Sequence, residues 1–292
     1  MPTIVYVDQE QLRLDNYLSN LTPALSRSYI AKLIDSGHIL VNGTLAKPSF
    51  KLKHGDIISF DEQDLSPPSP PEISIPILYE DDFCIVLNKP SGIITHAKGA
   101  LSNEGSVASF IKVKLSPQLE GNRAGIVHRL DRGTSGVIVA AKTAEALKYL
   151  QRQFAKRQTK KTYIALVDGQ MEKERALINM PIERNPKKPS TFRVGPSGKS
   201  AQTIYEVIAH NGSYSLLKLM PQTGRTHQLR VHLKAIEHPI VGDDLYNGSE
   251  SDRLMLHAYE LEFILPDIGR VSFKADLPSE FAKLIQYNIK DL

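Results

Sequence analysis

The stretch Val137-Ile-Val-Ala-Ala141 is wholly apolar and opens with three β-branched residues, so it reads as a buried strand. Before it comes a turn of small and charged residues, Asp131-Arg-Gly-Thr134-Ser135-Gly136. A turn that feeds a buried strand is held by a rigid sheet and presents its one carboxylate in a fixed place. Asp131 is therefore the candidate centre of an active site. The plain alternative is a solvated ion pair with the flanking Arg129 or Arg132.

Further β-rich runs lie at Cys84 to Leu87, Tyr163 to Val167, Tyr205 to Ala209, Ser215 to Met220 and Leu261 to Leu265. Helical patterns are fewer, chiefly Ala144 to Phe154 and His227 to Ala235. This balance predicts an α+β domain on a largely antiparallel mixed sheet. Upstream, Ser66-Pro-Pro-Ser-Pro-Pro71 favours extended polyproline geometry and reads as a stiff connector. The expected organisation is a small domain over 1–65, a linker over 66–75 and a larger domain over 76–292, in line with a chain of 292 residues.

In the small domain, Ser26 is a candidate N-cap for a helix with Ile30, Leu33 and Ile34 on one face, and Gly37 suits its end. Asn42-Gly43 marks a tight hairpin, and Asp56 to Phe60 a further strand. Arg13, Arg27, Lys32, Lys47, Lys51 and Lys53 outnumber the nearby acids and form a surface fit for phosphates. A merely solvated basic face is the alternative.

The formal charge of +4 is compatible with a nucleic-acid partner without demanding one. The single Cys84 excludes an intramolecular disulfide framework and points to a reducing compartment. No Cys and His cluster has zinc-ligand spacing, and Lys89-Pro-Ser-Gly92 lacks the spaced glycines of a nucleotide P-loop, so neither metal nor cofactor is expected. The first residues lack the pattern of a secretion signal, and no run approaches the roughly 20 apolar residues of a membrane span. A cytoplasmic protein is expected.

His128-Arg129-Leu130-Asp131-Arg-Gly-Thr134-Ser135-Gly136 closely resembles the aspartate motif of the RluA family of pseudouridine synthases. Other segments match the same family in order: Glu80 to Gly92 around Asn88-Lys89-Pro90, then Lys161-Thr-Tyr163, then Thr223-Gly-Arg225-Thr-His227-Gln228-Leu229-Arg230, and Arg253-Leu-Met-Leu-His257. The one departure is Leu229 where Ile is frequent, a volume-conserving exchange. The region before the linker resembles the small RNA-binding module first named from ribosomal small-subunit protein four.

The resemblance implies the pseudouridine-synthase fold, with RNA lying across a central cleft. It makes Asp131 the nucleophile at the anomeric carbon, Tyr163 the flat face and hydroxyl against the target base, and Leu229 an apolar wall. It also places Arg225 opposite Asp131. A carboxylate in a closed pocket loses hydration, which favours its unreactive neutral form, and a nearby cation counters that. Arg129 would fill the gap left by a flipped nucleotide. His128 would brace the turn, and Lys89 would touch RNA phosphate if any phosphate.

Cys84 has no neighbouring base to activate it, and the acids Glu80-Asp-Asp82 and Asp243-Asp244 read as turn residues rather than a glycosidase pair. The function expected is isomerisation of uridines in structured RNA by a monomer, with ribosomal RNA of the large subunit as substrate. Alternatives are a synthase acting on transfer RNA, a non-catalytic RNA-binding or ribosome-assembly protein, and a glycosidase that releases the base.

Overall fold

The computed structural model describes residues 2–22, 25, 27–61, 71–97, 104–119, 121 and 123–285. The chain divides into two compact units, Met1–Ile73 with His96–Ser109, and Ser74–Thr95 with Phe110–Leu292. Nothing in the sequence pattern signalled that 96–109 would group with the first unit. Ser26 and residues 66–70 of the proline-rich stretch lie outside the described residues.

The first unit runs β1 (Thr3–Val5), α1 (Leu14–Leu21), α2 (Arg27–Asp35), β2 (Ile39–Val41), β3 (Thr44–Leu45) and β4 (Ile57–Phe60). Its antiparallel sheet has the order β1-β4-β2-β3. Leu14 and Leu18, one turn apart on α1, and Ile30, Leu33 and Ile34 on α2 share a core with Ile39, Val41 and Ile58. Asn42 and Gly43, with φ of 52° and 73°, make the tight β2–β3 turn that their pairing predicts. Buried Asp15 accepts hydrogen bonds from both Arg13 and Arg27 at 2.9–3.0 Å. Two of the six expected phosphate-facing cations are thus already engaged, while Lys32, Lys47, Lys51 and Lys53 are exposed.

The chain continues with β5 (Ile77–Glu80), β6 (Cys84–Lys89), α3 (Val107–Ile111), β7 (Ser135–Ala141), α4 (Ala144–Ala155), β8 (Lys160–Asp168) and β9 (Arg175–Asn179). Then follow β10 (Ile182–Arg184), β11 (Phe192–Val194), β12 (Gln202–His210), β13 (Tyr214–Pro221), α5 (Gln228–Ala235), β14 (Leu256–Leu265), β15 (Gly269–Lys274) and α6 (Ser279–Ile285). Among the described residues, the main sheet has nine strands in the order β5-β6-β7-β14-β8-β13-β12-β9, with β15 beside β14. Only the β7–β14 seam is parallel; the expected mixed, largely antiparallel sheet is the one observed.

Every residue of β7 is buried, which explains its unbroken apolar run. Thr143 caps α4 by accepting from Ala146 N. Gln153 then exchanges two hydrogen bonds of 2.8 Å with the backbone of Ile264, pinning α4 to β14. At the start of β7, Gly136 has φ of +108°, and a Cβ there would lie 2.2 Å from Ala258 O. Only glycine lets β14 come this close, and that approach sets the position of the Asp131 turn.

Candidate active site

The loop carrying Asp131 is closed by Thr134 N donating to Asp131 O at 3.1 Å. Just before it, Leu130 is held through both N and O by the buried Thr95 hydroxyl. Beneath lies Lys89, fully buried, whose ammonium donates to Pro90 O, Ile93 O and Arg132 O at 2.7–3.2 Å. The expectation of an RNA contact by Lys89 is corrected here: its three donors are spent on backbone under the turn. Ser135, next along, donates to His257 Nδ1 at 2.7 Å, and the opposite ring nitrogen of His257 meets Ala275 O at 3.1 Å.

Facing Asp131 is the first turn of α5. His227, the N-cap residue, takes the left-handed region at φ 55°, and its Nε2 stands 3.7 Å from Asp131 Oδ2. Arg230 follows three residues on, on the same helix face, with Nη1 3.6 Å from the same oxygen. Arg225 was expected in that place. It lies in the loop before α5 and its Nε donates to Ser200 O at 3.0 Å, so the cation beside Asp131 is Arg230 and not Arg225. A motif with arginines at both ends leaves the choice open until the helix start is known.

Arg230 is itself held from behind. Its Nε and Nη2 donate to Asp243 Oδ2 and Oδ1 at 2.7 and 2.6 Å, and its guanidinium lies 5.0 Å from the Tyr246 ring centroid. Asp243, expected as a turn residue only, is the buried counter-charge of this site. The spacing of His227 and Arg230 on the predicted helix was the one sequence signal that pointed to the pair.

Asp131, His227 and Arg230 line a cavity of about 480 Å³ together with Arg129, Tyr163, Leu229, Lys161, Arg157 and Arg225. Arg129 is exposed and Leu229 is a buried wall. Burial, and then the negative charge of Asp131, push the Tyr163 hydroxyl pKa up, so it stays a neutral donor. Burial lowers the Lys161 ammonium, with Arg157 adding to the shift. His128 stacks on Phe154 at 4.5 Å and accepts from Val139 N at 3.1 Å. Burial brings its pKa down to about 3, so the ring is a neutral brace. Cys84 is buried on β6, with its thiol pushed up to about 12 by burial and by Asp81, and is inert. Among the described residues, no group of three or more His, Cys, Asp or Glu could hold a metal ion.

A carboxylate facing a cavity lined by several cations suits a site that takes up an anionic ligand. Residues 83–235 match the RNA pseudouridylate synthase family, and residues 12–58 match the S4 domain. A ribosomal large subunit pseudouridine synthase D of Borreliella burgdorferi is 40% identical over 294 residues, covering 95% of this chain and 88% of that protein. A ribosomal large subunit pseudouridine synthase C of Vibrio parahaemolyticus is 33% identical, covering 95% and 93%. The solved human RNA pseudouridylate synthase domain containing 1 superposes with a TM-score of 0.59 at 29% identity, covering 71% of this chain and 86% of that one. The chain belongs to the RNA pseudouridylate synthase family; it is an RNA pseudouridine synthase, an isomerase, with an S4 RNA-binding domain at its N-terminus.

Proposed function

We propose that this enzyme isomerises uridines of large-subunit ribosomal RNA, with Asp131 as the attacking carboxylate. The observation that carries the reading is the pair of donors, Arg230 and His227, within 3.7 Å of Asp131 Oδ2 in a cavity sized for a nucleotide. Asp131 attacks C1′ as the N1–C1′ bond breaks, or helps form a glycal by taking a proton from the sugar. The uracil turns in place and bonds through C5 to C1′ as the Asp131–C1′ bond breaks or, from the glycal, as C2′ takes its proton back. The C5 proton then leaves and N1, freed of the sugar, gains a proton. Atoms balance with no oxidant or energy input, as an isomerisation requires.

Tyr163 supplies a flat face for the base and a neutral hydroxyl, and Leu229 the opposite wall. The freed Asp131 carboxylate is at hand for the C5 proton. Arg129, exposed at the cavity, fits the role of filling the gap left by the flipped nucleotide. Lys161, partly buried and with no carboxylate partner among the described residues, fits an RNA phosphate, as do Arg157 and Arg225. The exposed lysines of the S4 domain are suited to phosphate contacts of their own.

Large-subunit RNA is the substrate favoured by the relatives, both named for it. In this proposal the enzyme acts as a monomer. No helix among the described residues is long and apolar enough to cross a membrane, and the proposal places the enzyme's work in the cytoplasm. The test is release of tritium from C5-labelled uridine in unmodified large-subunit RNA and in transfer RNA, with free uracil measured alongside. The reading predicts release from large-subunit RNA and no free uracil. Release from transfer RNA alone overturns the substrate, and free uracil overturns the isomerisation.

A further inference from the structure

We propose that Asp243 and Tyr246, on the turn from Gly242 to Gly248, are positioning residues that fix the two groups facing Asp131. The inference rests on Asp131 as the attacking group. The turn lies beyond residues 83–235, the segment matched to the catalytic family.

Its path leaves little freedom. Gly242 has φ of +77°, and a Cβ there would lie 1.9 Å from Arg253 O. Asp243, with a fully buried side chain, accepts from Leu245 N and Tyr246 N at 3.2 Å while gripping Arg230 through two nitrogens. Arg230 is left with one outward nitrogen, Nη1, and that nitrogen faces Asp131. A cation in the first turn of α5 opposes the helix dipole, and a buried ion pair costs desolvation. A fold in need of glue would do as well with apolar residues there, whereas a site in need of an aimed guanidinium would not.

Tyr246 does the same for His227. Its hydroxyl accepts from Phe192 N at 3.0 Å and meets His227 Nδ1 at 2.8 Å. The hydroxyl keeps its proton to donate, and the proposal directs it at Nδ1. The neutral imidazole therefore carries its own proton on Nε2, the nitrogen directed at Asp131. Asp131 thus sees a guanidinium and a neutral N–H donor, and both directions are set by one turn.

The test uses the full-length enzyme with its RNA substrate. Asp243→Asn keeps shape but loses charge, and should lower kcat about 100-fold with KM changed by less than about twofold. Asp243→Glu restores the charge at a displaced point and should recover about tenfold of that loss. Tyr246→Phe removes only a hydroxyl. In long-range proton–nitrogen NMR, wild-type His227 should show the Nε2–H tautomer alone and the Tyr246→Phe protein a mixture, with kcat reduced about tenfold. Wild-type kcat in Asp243→Asn together with an unchanged tautomer in Tyr246→Phe overturns the proposal. So does an Asp243→Asn protein that loses RNA affinity and thermal stability in step with rate and is not rescued by Glu, which marks a structural role only. Asp131→Ala is measured in parallel. Turnover by that variant refutes the attacking role of Asp131, whereas an inactive Asp131→Ala beside a fully active Asp243→Asn refutes the positioning role alone.

Discussion

Arg230 Nη1 stands 3.6 Å from Asp131 Oδ2, well beyond the roughly 2.7–2.9 Å of a charge-assisted hydrogen bond. The gap matters for the chemistry. A guanidinium at this distance attracts the carboxylate without occupying the lone pairs needed for attack, and Asp243 keeps Arg230 from closing in.

Replacing Arg230 with Lys should therefore cost more than the same change at Arg225. Lys cannot hold Asp243 through two nitrogens while directing a third donor at Asp131. We expect kcat to fall about 100-fold in Arg230→Lys and by less than about tenfold in Arg225→Lys, measured by single-turnover pseudouridine formation. Equal losses would contradict the placement of Arg230 as the cation of the site.

Tyr163→Phe keeps the flat ring and removes the neutral hydroxyl. If the ring holds the base and the hydroxyl acts in a later step, KM should stay within about twofold while kcat falls at least about tenfold. A rise in KM with kcat unchanged would make Tyr163 a binding group only.

Gly136→Ala inserts a methyl group where a Cβ would lie 2.2 Å from Ala258 O, at a φ of +108°. The parallel β7–β14 seam has to open, and the Asp131 turn moves with it. We expect a loss of about 3 kcal/mol or more in urea denaturation. A loss below about 1 kcal/mol would show that the seam adapts.

Acid should destabilise the catalytic unit through its buried neutral histidines. Burial lowers His257 from 6.5 to about 4, so as pH falls the unfolded chain binds the proton first. The stability that depends on neutral His257 is full above about pH 6.5 and declines by about 1.4 kcal/mol per pH unit toward pH 4. His257→Gln can still accept from Ser135 and donate to Ala275 O. Denaturation at pH 7 and pH 5 should show a smaller difference in the variant than in the wild type, and an identical difference would clear His257 of the effect.

Much of this was legible in the sequence, for identifiable reasons. The apolar run at 137–141 and the turn before it declare a buried strand presenting Asp131, because strand burial depends on local composition. The Asn42-Gly43 hairpin and the α2 face were equally local. What could not be read was which cation meets Asp131, because Arg225 and Arg230 differ only in where α5 begins, and His227 in a left-handed conformation sets that start. Lys89 misled because an exposed and a buried lysine look alike until three carbonyls are found around the ammonium. Asp243 was hidden for the same reason: its partner Arg230 lies 13 residues away, and nothing in a Gly-Asp-Asp turn tells that one acid points inward.

The measurement that bears most directly on the central claim is single-turnover tritium release from C5-labelled large-subunit RNA by wild type and Asp131→Ala, with RNA affinity measured on both. The account predicts release by wild type alone, at least about 10⁴-fold faster than by the variant, while the two bind RNA within about threefold of each other. Release by Asp131→Ala at a rate near that of wild type would contradict it.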